Sequence, residues 1–185
     1  MQINQWQKWV LLTGVWLLTA CTTLPPGIDS DDEQLVTDYQ QWTAMMPQSG
    51  QAVRLGGVIA QIKNLSDQTR IEVVNLPIDK QGKPLISREP QGRFVVYLDG
   101  FVDPLTHGEG RLMTFLGRSI GSEVSKVGEF EYTFPVMRAE GFHLWRIEER
   151  VIIDDITPYA FPCRNFYCRH IEDLPRSGRV IQEIK

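Results

Sequence analysis

Apolar side chains recur along this chain in three successive rhythms, and each predicts a different kind of structure. From Trp9 to Ala20 they form an almost unbroken run of about 12 residues, short of the about 20 that an α-helix needs to cross a hydrocarbon layer. Residues 21–33 break the rhythm with Pro25, Pro26 and Gly27 and with Asp29, Asp31, Asp32 and Glu33. That composition reads as a tether. Leu35, Tyr39, Trp42 and Met46 then return at helical spacing until Pro47 and Gly50 intervene, which predicts one short amphipathic helix packed on a domain. The acids ahead of it suit an N-cap and a first helical turn.

From Ala52 the period falls to two, and β-branched and aromatic residues take over. The runs "AVRLGGVIAQI", "TRIEVVNLPI", "RFVVYLDG", "RLMTFLGRSIG" and "FEYTFPVMRAEGFHLWRIEERVII" are separated by turn signals at 64–67, 79–84, 104–110, 121–128 and Glu140-Gly141. The Gly56-Gly57 pair inside the first run predicts a bulge or a sharp bend. Short strands at close spacing with almost no helix predict a mainly β domain over residues 34–153. Its expected form is a small antiparallel OB-like barrel with a short N-terminal helix and an irregular C-terminal tail, residues 154–185. A small β-sandwich is the alternative.

The first apolar run has the anatomy of a leader rather than a span. Lys8 precedes it, and the small residues Thr19 and Ala20 end it at a peptidase-compatible site. Residues 1–20 therefore read as a cleaved signal peptide. The tetrad Leu18-Thr19-Ala20-Cys21 resembles the bacterial lipobox, in which the cysteine thiol takes a diacylglyceryl group and the new amino terminus is acylated. Each buried methylene of such chains adds about 0.8 kcal/mol, so several chains together make release negligible. By the same resemblance Thr22, standing where an Asp tends to retain lipoproteins at the inner membrane, implies export to the outer membrane.

Removing the leader takes Lys8 and no acid, leaving 18 basic against 23 acidic residues. A net acidic chain is poorly suited to holding nucleic acid through phosphate contacts. What remains is enough for one domain with a real core.

Candidate chemistry is sparse. Asp103, His107 and Glu109 share one turn, where they gather a metal or simply form the loop. His143 alternates with Phe142 and Leu144 in a strand, as a structural histidine does. Zinc held by Cys163, Cys168 and His170 lacks a fourth protein ligand. With Cys21 lipidated, Cys163 and Cys168 are an even pair suited to a small disulfide ring in an oxidising compartment; free thiols or a metal are the alternatives. Arg93, Tyr97 and Arg111 form a candidate face for stacking on a saccharide, or a half-solvated sheet. No catalytic residue, metal or cofactor is assigned.

The blocks "VRLGGVIAQIKN", "RIEVVNLPID", "QGRFVVYLDGFVDPLTHGEGRLMTFLGRSIG" and "VGEFEYTFPVMRAEGFHLWR", together with the lipobox, resemble the Slp family of outer-membrane lipoproteins. The resemblance implies a lipid-anchored protein on the periplasmic face of the outer membrane, connected with stress or starvation. Two function classes follow. One is a non-enzymatic scaffold or binding module contacting an envelope protein or saccharide; the other is an enzyme or carrier for envelope saccharide or lipid.

Overall fold

A computed structural model describes residues 24–45, 50–153 and 178–185. Five strands carry the domain: β1 (Ala52–Asn64), β2 (Gln68–Leu76), β3 (Gly92–Asp99), β4 (Leu112–Val127) and β5 (Phe130–Trp145). They hydrogen-bond in a closed ring of order β1-β2-β3-β5-β4, with β1 pairing again with β4. Every pairing is antiparallel except the short parallel contact of β3 with β5, from Val95 opposite Val136 to Tyr97 opposite Arg138. The chain is thus mainly β, as its periodicity predicts, in one ring rather than two facing sheets.

The period-two pattern has a direct physical reading, because successive strand residues point to opposite faces. Val53, Leu55, Ile59, Ile71, Val73, Phe94, Val96, Met113, Phe115 and Met137 all turn inward and form one core. Phe94 lies edge-on to Trp42 at 6.2 Å and to Phe115 at 6.5 Å between ring centroids. Trp42 comes from α1 (Tyr39–Ala44), which Asp38 caps by accepting the Gln41 amide at 2.7 Å. Its indole N–H donates to Ser119 Oγ at 3.2 Å, so its polar edge enters the core satisfied.

α1 is shorter than the predicted stripe. Leu35 lies before it, and Val36 bridges in parallel to Val53 instead. Gly56 and Gly57 sit where β1 is bonded on both sides, to β2 and to β4. A Cβ on Gly57 collides with the Val74 carbonyl oxygen, so close strand approach accounts for that glycine. The bulge itself lies further on, between Ile59 and Gln61.

The turn expected over 121–128 is instead continuous strand. β4 passes Gly121 through a register shift after Ser119, and the hairpin to β5 closes with Gly128-Glu129 between the Val127–Phe130 pair. Glu140-Gly141 is likewise no turn but a register shift opposite Leu116 and Gly117. The tail is also more regular than expected, since β6 (Ile147–Ile153) pairs antiparallel with β7 (Gly178–Ile184).

The largest departure from the sequence reading is the tether. Within residues 21–33, Leu24 and Ile28 pack on the ring. A 3-10 turn at Pro26–Ile28 buries Ile28 completely, and Leu24 and Ile28 join Leu76, Leu112 and Trp145 in a second apolar cluster outside the ring. Arg54 donates to the Ile28 carbonyl at 3.1 Å, and Asp32 pairs with Arg118 at 3.0 Å. Proline and acidic composition disguised a strap, because one buried isoleucine and backbone contacts suffice to hold it.

Candidate functional site

β2 and β3 present their outward positions as a connected polar network. Arg70 lies opposite Tyr97 across the β2–β3 ladder, and Glu72 opposite Val95. The Arg93 guanidinium donates to Glu72 at 2.5 Å. Arg70 donates through two nitrogens to one oxygen of Glu123, at 2.9 and 2.7 Å, while the Tyr97 hydroxyl donates to the other at 2.8 Å. Burial, and then the bond to Glu123, push the Tyr97 hydroxyl above the usual phenol range.

Beneath these groups Val95, Phe134 and Val136 form a third apolar cluster. The Arg70 guanidinium stands 5.7 Å from the Phe134 ring, within cation–π range. Glu72 is a buried carboxylate on the outside of the ring. The expected saccharide face thus has Arg93 and Tyr97 already engaged by Glu72 and Glu123. Arg111 does not join them. It lies beside Leu112 in a cleft of about 500 Å³ lined by Gly110, Arg111, Leu112, Trp145, Arg146 and Ile147.

The 103–109 turn is held by its own residues. The Asp103 carboxylate accepts the Leu105 amide at 3.0 Å and the Thr106 hydroxyl at 3.1 Å. The His107 ring meets Phe142 edge-on at 5.5 Å, with its Nδ1 buried and unpartnered. Among the described residues no three His, Cys, Asp or Glu side chains gather as for a metal. His143 stacks edge-on against Trp145 at 4.3 Å, and burial lowers its pKa. Leu18, Thr19, Ala20, Cys21, Thr22, Cys163, Cys168 and His170 lie outside the described residues.

Sequence reasoning passed over Arg70, Glu72 and Glu123. The signal for the first two was present: charged residues that alternate with Ile71 and Val73 must face outward, and their opposite neighbours on β3 are Tyr97 and Val95. Glu123 carried no signal, because its placement depends on β4 running on past Gly121.

A closed ring whose β2–β3 face pairs its charges with one another defines a small mainly β domain. A profile of the outer membrane lipoprotein Slp family matches residues 18–172, and the chain belongs to that family. An uncharacterized protein of Haemophilus influenzae is 34% identical over 150 residues, 78% of this chain and 75% of the relative. The uncharacterized lipoprotein YeaY of Escherichia coli is 30% identical over 156 residues, covering 81% and 79%. The outer membrane protein Slp of the same organism is 27% identical over 153 residues, 80% of each chain. No solved structure matches the chain.

Proposed function

We propose that this chain is a lipid-anchored outer-membrane protein whose domain faces the periplasm as a non-enzymatic scaffold or binding module, in an envelope responding to stress or starvation. Cys21 carries the lipid after cleavage behind Ala20, and Thr22 directs it outward. One observation carries the reading: the family match begins at Leu18, the first residue of the lipobox tetrad, and runs without a break through the ring. The ring order, with β3 parallel to β5, supports an OB-like barrel of the five-stranded kind. Its interior is occupied by side chains, and Arg93 and Tyr97 are held in ion pairs and hydrogen bonds, which favours a structural role for that face over saccharide capture. Cys163 and Cys168 form a disulfide in the periplasm.

Replacing Cys21 by Ser is the test. The variant is expected to take up no lipid label and to leave the outer-membrane fraction, either uncleaved or soluble. Persistent labelling and unchanged fractionation refute the anchor. Mass spectrometry after alkylation without reductant is expected to find Cys163 and Cys168 unmodified; alkylation of both removes the disulfide.

A further inference from the structure

Between the proposed lipid at Cys21 and Leu24, the first described residue, stand only Thr22 and Thr23. Leu24 belongs to the cluster of Ile28, Leu76, Leu112 and Trp145, and its side chain reaches the loop at Gly82. A fully extended chain covers at most about 3.3–3.6 Å per residue, so Leu24 sits within about 11 Å of an anchor fixed at the membrane surface. The domain therefore meets the membrane with a defined side.

That side is basic. Arg111 and Arg146 flank Leu112 and Trp145, which are opposite each other across β4 and β5, and both arginines line the cleft already described. Neither guanidinium makes a hydrogen bond or ion pair among the described residues. Lys83 adds a third cation, its ammonium 5.8 Å from the Trp145 ring. The neighbouring acids are partly occupied: Asp79 accepts the amides of Gln81 and Lys83, and Glu148 is bound by Lys185 at 2.7 Å, meeting Arg146 only through space. Glu109 is exposed next to Gly110. Two guanidiniums lining one cleft, with a third cation nearby, suit a phosphate at the lipid–water boundary.

We propose that the Leu24 side of the domain rests on the membrane, and that the Arg111–Arg146 cleft takes the phosphate of an anionic phospholipid headgroup. The proposal rests on the reading of Cys21 as the lipid anchor. It is tested with the full lipidated chain in phosphatidylcholine vesicles containing phosphatidylglycerol that carries a photoreactive headgroup. Crosslinks are expected at residues 110–112 and 145–147. Yield is expected to fall on the order of tenfold in the double variant Arg111→Gln, Arg146→Gln, and to fall with added salt.

Crosslinks concentrated instead at exposed Leu65, Phe101 and Leu105 overturn the proposal, as does an unchanged yield in a double variant with a native circular dichroism spectrum. Should that variant misfold, the position of the crosslinks in the parent chain decides alone. Complete competition by inorganic phosphate at millimolar concentration, with salt held constant, indicates a site for soluble anions and also overturns it. The mass of the Cys21 peptide separates the two readings. A lipidated chain without crosslinks at the cleft sinks the docking side only, whereas a chain without lipid that still crosslinks there sinks the anchor only.

Discussion

Phe94 and Arg93 are adjacent in β3, yet they belong to regions held by different forces. Phe94 faces the interior, where Trp42 and Phe115 meet it edge-on and no charge intrudes. Arg93 faces outward onto Glu72 and into a network of charges above Phe134. The interior is stabilised by removal of apolar surface from water, about 1.5–3 kcal/mol for each fully buried large side chain. The outer network repays little beyond the cost of desolvating Glu72. What it contributes is register: Arg70, Tyr97 and Glu123 fit together only when the far part of β4 lies over β2 and β3.

Mutations that separate the two regions follow from this contrast. Trp42→Ala empties the interior under α1 and leaves Ser119 without its partner; it is expected to cost about 3–5 kcal/mol, read as a lowered denaturant midpoint. A loss below about 1 kcal/mol means that α1 is an accessory to the ring. Glu72→Ala strands Arg93, which is about one-third exposed and partly rescued by water, so about 2 kcal/mol is expected. Glu72→Leu, which keeps the volume and drops the charge, should recover part of that loss; if it is worse than Ala, the pair is a net stabiliser and the contrast is weaker than drawn.

The smallest effect expected is that of pH. His143 has a folded pKa lowered by burial, so the unfolded chain takes its proton first, near the ordinary value of about 6.5. The neutral ring favours the fold above that pH, and the contribution is lost as the pH falls from about 6.5 toward the folded pKa. Chemical denaturation on either side of pH 6.5 should show that slope, and His143→Gln should flatten it.

The interior was legible in the sequence because one rule governs it. Alternation in "RFVVYLDG" assigns Phe94, Val96 and Leu98 to one face whatever the ring's closure. The outside was not, since burial there comes from segments distant in sequence. Glycines at 121, 128 and 141 suggested turns, but only Gly128 serves one. Gly121 stands at a register shift with φ of 110°, and Gly141 gives room for another backbone. Leu24 to Ile28 looked solvated because proline and glycine dominate the count, although Ile28 is as buried as any core residue. The proposed address of the protein, by contrast, rests on a few consecutive residues, Leu18 to Thr22, and needed no fold.

Gly27 and Gly141 stand where the strap passes close to β5: a Cβ added to Gly141 collides with the Gly27 carbonyl oxygen, and one added to Gly27 meets the Phe142 carbonyl oxygen at 2.5 Å. Two missing methyl groups thereby set the length of a leash. With the strap seated, the chain between Cys21 and the domain spans at most about 11 Å; unseated back to Val36, it spans about 50 Å. With the proposed lipid on Cys21, the first geometry confines the domain to the lipid surface, and the second lets it sweep a volume larger by about two orders of magnitude, in proportion to the cube of the reach.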